Sequence, residues 1–381
     1  MTRRVLPTLP TLIVLGIANH VVLTGARVVV SLDALALGAS TATVGTLMAL
    51  FAILPMLLAI AAGRMADRIG VRGPMIVGSC GIAVGALLPV LVPGIAALFA
   101  TAVLLGVSFM AYQVSAQYAT GEVGGPDARA RNFGLLALGY SVSSITGPLV
   151  AGLMIDHAGH RAAFALLALA PLVPIVVLCG RRVALPGGRA PHDGPASGGA
   201  RELLAHPVLR RVFLMNGLIS VAWELNTLFV PVYGHGIGLS ASQIGFVLSA
   251  FAAATFAVRL FMPLITRRLN EHQVLSAALF IAAAVYLAFP FTRSVAMLTT
   301  LSFCLGFGVG AGQPMVMALL HLHAPPGRMG EATGVRMSLV NSVSVAVPLL
   351  FGAVGGTVGL APVLWSVGVF LATGGYLTRR A

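Results

Sequence analysis

Four polar residues recur on one stripe of an otherwise apolar stretch: Asn216, Ser220, Glu224 and Thr227. Spacings of four, four and three place them on one face of a helix. Gly16, His20, Thr24 and Arg27 repeat the pattern 200 positions earlier, with Asn19 beside them. An ionised side chain at the centre of a membrane helix costs about 2.5–3.5 kcal/mol on insertion scales, so such stripes are expected to face water, solute or one another. Glu224 is the only acid well inside an apolar run. It is read as a group that takes up and releases a proton as its surroundings change between wet and dry, or as a cation-binding group. The alternative is a fixed ion pair, for instance with Arg27. His20 titrates near physiological pH when unperturbed and is the second proton-coupling candidate; a structural, hydrogen-bonded histidine is the competing reading. Arg27 is an anion ligand, a partner of Glu224, or a side chain snorkelling to the outer interface.

Other polar residues in apolar runs extend this set. Gln113 and Gln313, also 200 positions apart, both donate and accept hydrogen bonds; Tyr112 and Ser108 share a face next to Gln113. Trp223 is positioned to stack on a ligand or to anchor at the interface. Tyr140 and Asn341 are secondary candidates. No catalytic or metal site emerges. Cys80, Cys179 and Cys304 have neither metal nor disulfide spacing and read as core residues. His321 and His323 read as loop histidines. Gly139-Tyr140-Ser141-Val142-Ser143 ends in Ser where a nucleophile elbow needs Gly.

Composition says which elements must carry these residues. Of 381 residues, 9% are charged and 58% hydrophobic, against roughly 25% charged in a soluble domain. The chain therefore belongs in a membrane. All 23 basic residues are Arg. The missing Lys excludes a Walker-A phosphate loop and Schiff-base chemistry, hence an ATP motor within this chain. Apolar runs long enough to span, about 20 residues each, lie near 9–31, 42–62, 73–92, 95–118, 133–154 and 162–180, then near 208–231, 241–265, 273–291, 295–320, 332–355 and 358–378. The first is read as an uncleaved helix rather than a signal peptide. The organisation is thus an N-terminal six-helix bundle over 1–180, a Gly/Pro-rich cytoplasmic linker over 181–206 and a C-terminal bundle over 207–381. With both termini inside, 18 Arg fall on inner segments and three (Arg27, Arg161, Arg293) on outer ones, a positive-inside bias. The net charge of +13 is mostly that topology signal. The Arg clusters form no basic face of the kind nucleic acid needs.

The halves also align at a constant offset of 200. Gly38, Ser40, Gly45 and Phe51 recur as Gly238, Ser240, Gly245 and Phe251. Leu105, Gly106 and Gln113 recur as Leu305, Gly306 and Gln313; Ser144, Pro148 and Gly152 recur as Ser344, Pro348 and Gly352. Two bundles of similar shape facing each other, with solute bound at their interface, are a transporter architecture.

Between spans 2 and 3 runs Gly63-Arg64-Met65-Ala66-Asp67-Arg68-Ile69-Gly70-Val71-Arg72. This loop resembles the signature of the major facilitator superfamily, and the span count, linker and loop position match over essentially the whole chain. The resemblance implies that Gly63, Asp67, Arg68, Gly70 and Arg72 form a conformational latch, with Arg336 near the start of helix 11 as a possible partner of Asp67. The second-half counterpart has Pro263, Arg267 and Arg268, without the acid. Gly147-Pro148-Leu149-Val150-Ala151-Gly152 resembles the helix-5 motif of proton-coupled exporters, although Ser143 stands where a further Gly is expected. The basic residue of the family's helix-4 motif is Ala102 here. The stretch from Asp156 to Phe164 resembles the family's outer loop and reads as structural. By the same resemblance, helices 1, 4, 7 and 10 line a central cavity, where both polar stripes fall.

The resulting expectation is an all-α membrane protein of twelve helices, a monomer in the bacterial inner membrane, needing no cofactor beyond a proton or other ion gradient. Its partners are a small-molecule substrate and membrane lipid, with no nucleic acid. It would export a small organic molecule by alternating access. Uptake by symport or facilitated diffusion, and a non-transporting sensor on the same fold, are the rivals.

Overall fold

The computed structural model describes residues 6–125, 128–185, 200–325 and 328–379; the side chains of 59–67, 130, 200–201, 263, 329–331 and 378–379 also fall outside the described set. The described chain is helical: α1 Thr8–Ala36, α2 Thr41–Ile69, α3 Arg72–Leu91, α4 Ile95–Glu122, α5 Arg129–Leu169, α6 Leu172–Cys179, α7 Ala200–Ala205, α8 Pro207–Gly236, α9 Ala241–Ile265, α10 Glu271–Ala288, α11 Val295–Gly310, α12 Gly312–His323, α13 Met329–Val358 and α14 Leu360–Arg379.

Eleven described stretches are long and apolar enough to cross a membrane. One of them, Arg131–Cys179, has 49 residues, more than twice the length of one crossing. Its backbone leaves helical geometry at Gly159, with φ 83 and ψ 169, so this stretch holds two of the twelve expected spans. The run expected as the tenth span is likewise one such stretch, Val295–His323, with its helix parted at Ala311 into α11 and α12. Pro314 is the physical reason: it has no N–H to offer the Gly310 carbonyl four residues back.

Two compact units form. One holds 1–39, 50–193 and 240–245; the other holds 40–49, 194–239 and 246–381. The first turns of α2 and α9, at positions related by the 200-residue offset, thus belong with the opposite half of the chain. Absent side chains make this possible. A Cβ on Gly245 would meet the Pro148 carbonyl, and one on Gly45 the Pro348 carbonyl. The repeat is equally visible at the turns before these helices. Gly38 and Gly238 have φ 78 and 81, and the N–H groups that follow close onto Ala34 and Gly234, ending α1 and α8 in the same left-handed cap.

Within the first unit, Asp156 holds the first turn of α9. Its two carboxylate oxygens accept from Ala241 N at 3.0 Å and Ser242 N at 2.8 Å, and Ser242 Oγ donates to the Gly152 carbonyl at 3.3 Å. An acid at a helix N-terminus satisfies orphan donors and complements the dipole. Burial pushes the Asp156 carboxyl up, but hydrogen bonds from Ser242, Ser240 and Ala241 outweigh it and hold it below its ordinary value. A depressed carboxylate stabilises above its unfolded pKa, near 3.9, and that contribution fades as pH falls through the folded value. Asp156→Asn is therefore expected to melt earlier than wild type at pH 7. The gap should close on acidification below pH 4; thermal unfolding across pH checks it, and a constant gap refutes the charge-based account.

Spans 3 and 6 cap each other reciprocally. Arg72, at the start of α3, donates Nη1 to the Leu178 carbonyl at 2.7 Å and Nη2 to the Val183 carbonyl at 2.6 Å, closing the C-terminal end of α6. Arg161, just past the Gly159 break, donates Nε to the Val90 carbonyl at 2.7 Å, closing the end of α3. Hydrogen bonds to charged donors are worth about 1.5–3 kcal/mol. Arg72→Ala should thus lower unfolding stability by a few kcal/mol, and Arg161→Ala by less because Arg161 is exposed. Equal melting temperatures for Arg72→Ala and wild type would refute this.

The structure corrects the expectation that the cysteines are core residues: Cys80, Cys179 and Cys304 are all exposed. In a bilayer the surroundings are as apolar as the interior, so an apolar run carries no information about burial.

Candidate functional site

The polar stripe of α1 faces α5, the helix it packs on most extensively. His20 Nδ1 lies 2.6 Å from Ser143 Oγ. Its ring stacks at a tilt on Tyr140, with centroids 4.8 Å apart, and sits 5.3 Å from Phe109 of α4. One turn on, Thr24 Oγ1 donates to the Ser143 carbonyl at 3.1 Å as well as to its own helix. Gly147 permits this approach, because a Cβ there would strike Thr24 and the Gly25 N. Arg27 lies two turns beyond His20 and is half-buried.

Beside this pair lies a sequestered polar cluster. Asn19 is fully buried and donates Nδ2 to Ser79 Oγ at 2.9 Å. Asn19 Oδ1, Tyr112 OH and Tyr140 OH are buried without a hydrogen-bond partner among the described residues. Tyr112 is 0% exposed, packed with Leu12, Leu15, Met75 and Leu178. It therefore belongs to the interior of the first unit. Gln113 is half-buried.

In the second unit the stripe of α8 meets α13. Glu224 lies about 26 Å along a helix of about 45 Å and is 8% exposed. Ser344 Oγ of α13 donates to its Oε1 at 3.0 Å. Other members of the stripe turn inward on their own helix: Ser220 donates to the Asn216 carbonyl at 2.8 Å and Thr227 to the Trp223 carbonyl at 3.1 Å. Such back-bonding satisfies a hydroxyl locally. Asn216 is buried with its Nδ2 unpartnered among the described residues. Trp223 packs edge-on against Phe251 of α9, centroids 4.9 Å apart. Asn341 is half-buried one turn before Ser344, and Gln313 is exposed.

The latch is described only in part. Gly63 lies within α2, and the side chain of Asp67 falls outside the described set. Arg68 ends α2 exposed, and Gly70 takes φ 81 at the turn. Arg72 is engaged with the end of α6, as above. Helix α13 begins at Met329, so Arg336 sits two turns inside it rather than at its start, 7% exposed, with Nη2 against Met337 Sδ at 3.1 Å. Pro148 and Gly152 of the helix-5 motif are buried, and Gly152 packs on Ala241 of α9.

Sequence reasoning missed several partners. Ser143 bonds His20 and Ser344 bonds Glu224. Asn226 is 0% exposed, with both side-chain polar atoms unpartnered among the described residues. The repeat held the signal for Ser344. Thr24 and Glu224 are 200 apart, and Thr24 already contacts α5 at Ser143, beside Ser144, the counterpart of Ser344. Asn226 stands two positions past Glu224, off the stripe, and no spacing pointed to it. Among the described residues no three His, Cys, Asp or Glu side chains group to hold a metal ion.

Comparison with known proteins places these features. The family profile described as Major Facilitator Superfamily matches residues 8–348. Tetracycline resistance protein class C of Escherichia coli is 25% identical over 327 residues, spanning 81% of this chain and 79% of that protein. Multidrug efflux pump LfrA of Mycolicibacterium smegmatis (strain ATCC 700084 / mc(2)155) is 30% identical over 241 residues, 62% of this chain and 41% of that protein. Among solved structures, a bacterial homologue of the human lysosomal transporter Spinster, in an inward-facing, unoccupied conformation, superposes with a TM-score of 0.80 at 16% identity, covering 98% of this chain and 96% of that one. A peptide transporter POT in complex with sulfate superposes at 0.79 with 15% identity, covering 98% and 93%.

Proposed function

The chain belongs to the major facilitator superfamily, and from that membership we propose that it is a proton-coupled exporter of small organic molecules. It is an integral membrane transporter, not an enzyme. Under this reading it works by alternating access in the bacterial cytoplasmic membrane, as a monomer with both termini inside. The Arg asymmetry supports that orientation. The direction of transport is supported by the names of relatives that share about four-fifths of the chain, the tetracycline resistance proteins.

One observation carries the coupling half: a carboxylate at mid-helix, 8% exposed and held by a hydroxyl from α13. A mid-membrane acid is costly, and its conversion between charged and neutral forms is the chemistry a proton-driven carrier needs. His20 is the second titratable group on the equivalent helix of the first repeat. Asn19, Thr24, Arg27, Gln113, Tyr140, Asn216, Trp223, Thr227, Gln313 and Asn341 provide the remaining solute-facing or supporting polarity. The segment from Gly63 to Arg72, the end of α2 and the turn at Gly70, acts as the latch between conformations. Gly147 shapes the α1–α5 contact, and Pro148 and Gly152 the contact of α5 with the first turn of α9.

Purified protein in liposomes with an imposed pH gradient tests this. A solute found by resistance or transport screening should move against the proton flux. Co-directional flux means symport instead, and binding without flux means a sensor.

A further inference from the structure

Ser143 occupies the place where the helix-5 motif expects glycine, and its hydroxyl meets the one imidazole of the polar stripe. Two oxygens of α5 lie against the His20 imidazole, Ser143 Oγ and the Tyr140 carbonyl. Ser143 Oγ lies 2.8 Å from the Tyr140 carbonyl; a hydroxyl proton directed there leaves an oxygen lone pair for Nδ1 at 2.6 Å. The Tyr140 carbonyl itself also faces the imidazole, and a carbonyl only accepts. With the hydroxyl so turned, Nδ1 carries the hydrogen. Which ring nitrogen is protonated follows from the bond that the other makes. His20 Nε2 is not among the buried, unpartnered atoms, and the residue as a whole is half-buried.

We infer that Ser143 is a positioning residue that locks His20 as the Nδ1–H tautomer, making Nε2 the atom that gains and loses the coupled proton in the first repeat. The inference rests on the proton-coupled reading above. Protonation forms one N–H bond at Nε2, and release breaks it; the Nδ1–H bond to Ser143 is unchanged throughout. The charged or titratable groups facing His20 are Arg27 on its own helix and Tyr140 on α5. Tyr112 of α4 lies beside Asn19, and α3 presents Ser79 to that same Asn19. Phe109 and Tyr140 flank the ring, so rotation about Cβ–Cγ that would exchange the nitrogens is opposed by packing.

Nitrogen NMR on histidine-labelled full-length protein reads the tautomer directly; the resonance lost in His20→Gln identifies the ring. Wild type is expected to show protonated Nδ1 and bare Nε2 at high pH. Ser143→Ala should give a mixed tautomer and move the midpoint of the transport pH profile by about half a unit or more. Ser143→Thr, which keeps the hydroxyl, should retain both wild-type properties. An unchanged tautomer in Ser143→Ala overturns the inference. So does a changed tautomer with an unmoved pH profile. A wild-type protein that moves no protons under any gradient sinks the exporter reading instead, while the tautomer is still read at equilibrium without transport.

Discussion

Glu224→Gln is expected to reduce solute accumulation driven by a pH gradient by about 100-fold or more, the scale of losing an essential proton-transfer group. Solute exchange at equal pH on both sides should persist. The substitution is nearly isosteric, and the amide oxygen still accepts from Ser344, which bonds Oε1 at 3.0 Å in the native protein. Packing around a residue only 8% exposed is therefore kept, and the fold should survive. What disappears is the only titratable acid in the middle of α8. A neutral amide cannot carry a proton across on one conformation and return without it on the other, so the gradient loses its handle on the cycle. Glu224→Asp tests the geometry separately. It keeps the charge but withdraws the carboxylate by one methylene, about 1.5 Å, away from Ser344, and should lower accumulation less than Gln does. Liposome uptake with matched expression and melting temperature is the measurement. Full accumulation in Glu224→Gln removes this residue from coupling.

How much of this was readable beforehand depends on which physical signal each residue leaves. Helical spacing in an apolar run isolated Glu224 and His20, because mid-membrane polarity is rare and costly. Constant offset exposed the repeat, and the left-handed glycines at 38 and 238 show why those positions recur. Contacts between distant helices leave no such periodic trace. Arg72 and Arg161 looked like topology charges, yet each closes the end of the other's helix. Asp156 looked like a loop acid, yet it caps α9. Ser143 looked like a defect in a glycine motif, yet it is the partner of His20. The cysteines failed for another reason: in soluble proteins apolar means inside, but in lipid both sides of a helix are apolar. Where a break falls was also only half legible. Pro314 sits in the run that splits into α11 and α12, whereas Gly159 had to be seen at φ 83.

Gly106→Ala and Gly306→Ala are expected to destabilise the protein alike, although 200 residues separate them. A Cβ on Gly106 would lie 2.5 Å from the Phe51 carbonyl oxygen and 3.0 Å from its carbon. One on Gly306 would lie 2.9 Å from the Phe251 carbonyl carbon, with the oxygen nearer still. The obstacle is backbone inside a helix in both cases, which cannot swing aside as a side chain does. Overpacking of this kind costs about 1–3 kcal/mol. A control of opposite sign lies in α8. A Cβ on Gly217 would meet nothing within 4 Å, and Gly to Ala in an open helical position gains up to about 1 kcal/mol of helix propensity. Gly217→Ala should thus be neutral or stabilising. Because Gly106 and Gly306 sit in different units and share no partner, their losses should add in the double variant within about 0.5 kcal/mol. Thermal unfolding of the purified variants decides it. If Gly106→Ala melts with Gly217→Ala, close approach of helix backbones does not hold the repeat together. If only one of the pair is destabilised, the two halves share a sequence pattern without sharing the packing that makes the pattern necessary.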